Sequence, residues 1–95
     1  MAKILIIDDD AAIRRTLGRV LSKAGHVVTE ADDGRKAIEL FRFDDAELVI
    51  TDIVMPTQEG IETILEIRRE APGVGIIAIS GGGQSSGMTY LDLAG

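Results

Sequence analysis

The 95-residue sequence contains no cysteine and no tryptophan, and its one histidine is His26. Without cysteine there is no disulfide, no thiolate nucleophile and no cysteine-bound metal. A lone histidine cannot form a histidine cluster. Aromatic residues make up only 3% of the chain, so its core must be aliphatic. Basic residues are outnumbered: 10 Lys and Arg face 16 Asp and Glu, for a net charge of −6. That balance argues against a nucleic-acid surface, which needs a basic footprint, and is compatible with binding a cation. No apolar run approaches the length of a membrane span. The first residues lack the charged lead, apolar stretch and cleavage site of a signal peptide. The expectation is a cytoplasmic protein with no membrane contact. What the chain does have is 45% hydrophobic residues. That suffices for a core, unlike the composition of a disordered tail, and the length bounds the chain to one small domain.

Short apolar runs alternate with amphipathic stretches. Residues 4–7 (ILII) are continuously apolar, as a strand buried on both faces should be. Ile13, Leu17, Val20, Leu21 and Ala24 then share one helical face, while Arg14, Arg15, Arg19 and Lys23 read mostly as solvated charges. Gly25 is placed to cap that helix. Residues 26–30 (HVVTE) read as a second strand, and Asp33-Gly34 as a turn or N-cap. Ala37, Ile38 and Phe41 mark a second helix, and residues 48–51 (LVIT) a third strand. Pro56 breaks the chain into a loop. Ile61, Ile64, Leu65 and Arg68 give a third helix, stopped by Pro72-Gly73. Residues 76–79 (IIAI) are a fourth buried strand, followed by a glycine-rich loop at 81–83. Residues 84–93 are expected to begin a fourth helix. The alternation predicts an α/β fold, a parallel sheet with helices on both faces.

The acids sit where that architecture puts its chemistry. Ligands of open parallel sheets bind beyond the carboxyl ends of the strands. The first strand runs into Asp8, Asp9 and Asp10, the third ends at Asp52, and the fourth at Ser80. Two like charges about 4 Å apart repel by roughly 4 kcal/mol at an effective dielectric near 20. If the first and third strands are neighbours, a hard divalent cation turns that repulsion into attraction. Mg²⁺ suits a site with few protein ligands, several waters and a phosphate. A carboxylate in such a site can act as a nucleophile toward phosphorus, with the metal neutralising the phosphoryl charge. Asp10 is a candidate for the helix N-cap rather than the cluster.

The acid pair after the first strand, TDIVMP with Gly60 at the third, and ISG at the fourth resemble the receiver domain of two-component response regulators. The resemblance covers essentially the whole chain and rests on the order and strand-end placement of the motifs together. It implies a flavodoxin-like doubly wound sheet, whose order 2-1-3-4-5 is the one receiver proteins illustrate; here 2-1-3-4 is expected. By resemblance, Asp8 and Asp9 bind Mg²⁺, Asp52 is the phosphoacceptor and a further metal ligand, and the backbone carbonyl of Val54 completes the set. Ser80 resembles the hydroxyl that bonds the phosphoryl group and switches. The implied partner is a histidine kinase or histidine phosphotransfer protein, for which helix one is a usual docking surface. The family continues with a fifth strand, a fifth helix, a phosphate-pairing lysine and an aromatic switch residue. None of these follows in this sequence, so residues 1–95 read as a receiver domain incomplete at its C-terminus.

Two consequences and two alternatives follow. Without a fifth strand, the apolar strand at 76–79 is expected to be an open edge, which leaves the chain either to self-associate through it or to be only marginally folded. Signalling by conformational change is expected, with no enzyme activity beyond assistance to the domain's own phosphorylation and dephosphorylation. One alternative is a haloacid-dehalogenase-type phosphatase, whose Asp-x-Asp spacing Asp8 and Asp10 match, with Asp8 as nucleophile. The other is a non-signalling assembly fragment.

Overall fold

Four apolar side chains in succession can all be buried only if both faces of a strand are covered. Ile4, Leu5, Ile6 and Ile7 are each 3% exposed or less, and they form β1 (Lys3–Ile7) at the centre of a sheet. The structure, a computed structural model, describes residues 1–52, 58–79 and 88–90, with Asp52, 58–60 and 88–90 described by their backbone. The order continues with α1 (Ala11–Lys23), β2 (Val27–Ala31), α2 (Gly34–Asp44), β3 (Leu48–Asp52), α3 (Gln58–Glu70), β4 (Gly75–Ile79) and β5 (Met88–Tyr90). β1 pairs in parallel with β2 on one side and β3 on the other, and β3 pairs in parallel with β4. The four parallel strands therefore stand in the expected order 2-1-3-4.

Local signals set the helix ends. Asp10 and Asp33 are the N-caps of α1 and α2, each in extended conformation with its carboxylate accepting backbone N–H groups of the first turn. After α1, the Gly25 N–H donates to the Ser22 carbonyl (3.0 Å) and the His26 N–H to that of Leu21 (3.2 Å). These are the two bonds of a Schellman cap, and Gly25, at φ 96°, is the left-handed residue the cap requires. Arg68 closes the end of α3 by donating through Nη1 to the carbonyls of Pro72 (2.9 Å) and Val74 (2.6 Å).

Alternation along the strands divides the core in two. Leu5, Ile7, Val49 and Ile76 face Ala37 and Phe41 of α2 and Ile67 of α3. Ile4, Ile6 and Ile50 face the other way, where Leu17 and Leu21 of α1 pack on them together with half-buried Ile77 and Ile79.

The end of the chain departs from expectation. Met88–Tyr90, placed inside an anticipated fourth helix, forms a strand antiparallel to β4, pairing Ile77 with Tyr90 and Ile79 with Met88. The eight intervening residues, 80–87, suffice for an antiparallel return, whereas a parallel crossover needs about a dozen or more. The otherwise unpaired backbone along β4 takes this segment as its partner. The edge expected to be open at 76–79 is therefore occupied, which removes the template proposed for self-association there. The new edge is only three residues long, and a short edge strand is a poor template.

Candidate functional site

β1 ends in a turn whose three acids have different tasks. Asp8 is only 2% exposed. Its amide donates to the Ala31 carbonyl at the end of β2 (3.1 Å), and its Oδ1 accepts the Asp10 amide (2.8 Å). Asp10 Oδ1 accepts from the amides of Ala12 (2.9 Å) and Ile13 (3.3 Å). Asp10 is thus spent on the helix cap, while Asp9 beside it is exposed. The cluster is a buried carboxylate, an exposed one and a capping one.

The register brings the third strand's acid alongside. Ile7 is aligned with Thr51 in the last pair of the ladder, so Asp8, just past the end of β1, and Asp52, the last residue of β3, leave it at the same level. Adjacent strands lie about 4.8 Å apart. Asp52 in turn is aligned with Ile79 of β4, the residue before Ser80. Val54 and Ser80 lie outside the described residues.

Arg14, read from sequence as a solvated charge, is instead 16% exposed in its side chain. Its Nη1 donates to the Asp8 carbonyl (2.8 Å) and its Nε to Glu30 Oε1 on β2 (3.2 Å). A signal was available in the spacing. Arg14, Leu17, Gly18 and Leu21 follow i, i+3, i+4, i+7, the inward stripe of α1.

The other charged cluster lies away from the strand ends. A groove of about 410 Å³ runs between α2 and α3, lined by Gly34, Ile38, Arg42, Glu62, Thr63 and Glu66 among others. Arg42 of this groove is paired: its Nη2 lies 2.5 Å from Glu70 Oε2, beside the groove, and 3.5 Å from Glu66 Oε2. The hydrogen bond from Arg42 holds the Glu70 carboxyl below its ordinary value, and the same bond raises the Arg42 guanidinium. These residues sit near the C-terminal ends of both helices, while α2 begins just after β2 ends. The pairs therefore tie the two helices together far from the acids.

A family model described as the response regulator receiver domain matches residues 4–92. The chemotaxis protein CheY of Halobacterium salinarum is 36% identical over 96 residues, covering 100% of this chain and 80% of that protein. The response regulator MprA of Mycolicibacterium vanbaalenii is 36% identical over 82% of this chain, which spans 34% of that longer protein. The response regulator TrrA of Thermotoga maritima, solved in complex with Mg²⁺-BeF, superposes with a TM-score of 0.71 at 36% identity, over 80% of this chain and 66% of that one. TrrA solved in complex with the histidine kinase ThkA gives a TM-score of 0.75 at 33% identity, over 88% and 72%. A sheet ordered 2-1-3-4, an acidic turn closing its central strand and this agreement over nearly the whole chain have one reading: the chain belongs to the response regulator receiver domain family of two-component systems.

Proposed function

We propose that this chain is a phosphoacceptor switch that takes a phosphoryl group on Asp52. The observation that carries the reading is the register aligning Ile7 with Thr51, which puts the backbones of Asp8 and Asp52 side by side at the carboxyl end of the sheet. The donor chemistry suits a hard cation: a buried carboxylate, an exposed one and a third from the next strand are all oxygen ligands. Asp8, Asp9, Asp52 and the Val54 carbonyl would hold Mg²⁺, which when bound supplies neutralisation for the phosphoryl oxygens. An Asp52 carboxylate oxygen forms a bond to phosphorus as the bond from phosphorus to the donor's imidazole nitrogen breaks. That electron pair leaves with the imidazole. Ser80 is assigned the hydrogen bond to the transferred group and the switch that reports it. The donor is a histidine kinase or histidine phosphotransfer protein in the cytoplasm. Residues 1–95 are read as one receiver domain.

The test uses an acyl phosphate as donor, with Mg²⁺, followed by intact-mass measurement and peptide mapping. One phosphoryl group on Asp52, lost in Asp52→Asn, is expected. A phosphoryl group on Asp8 would overturn the assignment and restore the phosphatase alternative. Mg²⁺ alone should also stabilise the fold, by about 2.7 kcal/mol at a hundred times its Kd.

A further inference from the structure

The proposed chemistry makes no use of Arg14, yet Arg14 reaches the turn that carries the acids. A guanidinium this close to a carboxylate cluster would ordinarily compete with a cation for it. Here it does not, because its hydrogen bonds go elsewhere: Nη1 to the neutral carbonyl of Asp8 and Nε to Glu30. Glu30 balances the charge. Gly18 makes room for Glu30, since a Cβ there would lie 2.9 Å from Glu30 Oε2. The Asp8 amide is already tied to Ala31 on β2, so Arg14 fixes the other side of the same residue. With N–H and C=O both anchored, the direction in which the Asp8 side chain leaves the backbone is set before any ligand arrives.

We propose that Arg14, held by Glu30 beneath Gly18, is the positioning residue of the acidic pocket and pre-orients Asp8 for a divalent cation. This rests on the pocket binding Mg²⁺, as read above. Groups that orient ligands without touching the metal contribute about 10–100-fold to its affinity.

The test is a Mg²⁺ titration followed by amide NMR shifts, with a thermal melt of each variant without metal. Arg14→Met should weaken Mg²⁺ binding by about 10–100-fold. Arg14→Lys should recover part of the loss, since an ammonium can still donate to the Asp8 carbonyl. Gly18→Ala should weaken binding by displacing Glu30 while leaving the melt unchanged or raised, because alanine favours the helix. A role limited to tying helix to sheet would lower the melt of Arg14→Met and leave its Mg²⁺ midpoint at the wild-type value. That result overturns the proposal. If Arg14→Met does not fold, wild-type Mg²⁺ binding by both Arg14→Lys and Gly18→Ala overturns it instead. A folded wild-type chain indifferent to Mg²⁺ would refute the pocket itself, and the positioning role with it. Binding by wild type with no effect in the variants refutes the positioning role alone.

Discussion

The two faces of the sheet are built from the same aliphatic residues and end up differently covered. On one face α2 and α3 lie side by side, and Phe41, Ala37 and Ile67 close over Leu5, Val49 and Ile76. On the other, among the described residues, α1 alone covers Ile4, Ile6 and Ile50, and Leu17, Leu21, Ile77 and Ile79 stay partly exposed around it. Val20 on α1 is 59% exposed. The central strand serves both faces equally because its side chains alternate. What differs is the number of helices brought to each side. The candidate site belongs to neither face. It lies at the strand ends between them, and α1 is the helix that meets it, through the Asp10 cap and Arg14.

Truncating one side chain on each face measures how differently the two are sealed. Phe41→Ala, in the closed face, should cost about 3–5 kcal/mol in chemical denaturation. Leu21→Ala, half-buried on the open face, should cost only about 1 kcal/mol, since less apolar surface is removed from water. Equal losses would show that the α1 face is as well sealed as the other.

Gly34 and Gly18, both buried within helices, give a second contrast. A Cβ at Gly34 would run into Thr63 Oγ1, a buried residue of α3. Gly34→Ala should therefore open the α2–α3 contact at about 1–3 kcal/mol. The one tight contact of a Cβ in Gly18→Ala is the carboxylate end of the Glu30 side chain, with Val28 Cγ1 at an ordinary 3.7 Å, and the gain in helix propensity of up to about 1 kcal/mol should leave stability equal or higher. Urea midpoints of the pair decide it.

The caps should be alike on the two sides. Asp10→Ala and Asp33→Ala remove equivalent carboxylates, each at about 1 kcal/mol. A markedly larger loss at Asp10 would mean that the acidic turn depends on its cap in a way that the turn before α2 does not.

The smallest effect concerns the ion pair across α2 and α3. Glu70 has its pKa lowered in the folded state by its hydrogen bond from Arg42. Its contribution is therefore present above the ordinary value of 4.5 and is lost as pH falls through the lower folded value. Arg42→Gln should flatten a shallow loss of melting temperature in that acid range, and salt should do the same, as expected for an exposed pair.

Much of the architecture was legible along the chain. Continuous apolar runs at 4–7, 48–51 and 76–79 mark strands buried on both faces, and 3.6-residue periodicity marks the helices between them. Gly25 and Asp33 announced their caps by residue type, because each supplies something few residues can: a positive φ or a short carboxylate. The acids at strand ends pointed to the candidate site by the general geometry of parallel sheets. Met88–Tyr90 was not legible in the same way. The helix expected there was overridden by a vacant strand edge that exists only once β4 is in place.

Composition and periodicity thus determined by themselves the element types, the aliphatic core and the clustering of carboxylates, because these depend on residue chemistry and spacing within one segment. The tertiary structure alone decided which strands are neighbours, and so that the backbones of Asp8 and Asp52 stand level. It also decided that Arg14 turns inward, held between the Asp8 carbonyl and Glu30 of β2. Each of these depends on groups far apart in sequence meeting in space. A charged side chain is drawn inward only where the fold presents a carbonyl and a counter-charge to receive it.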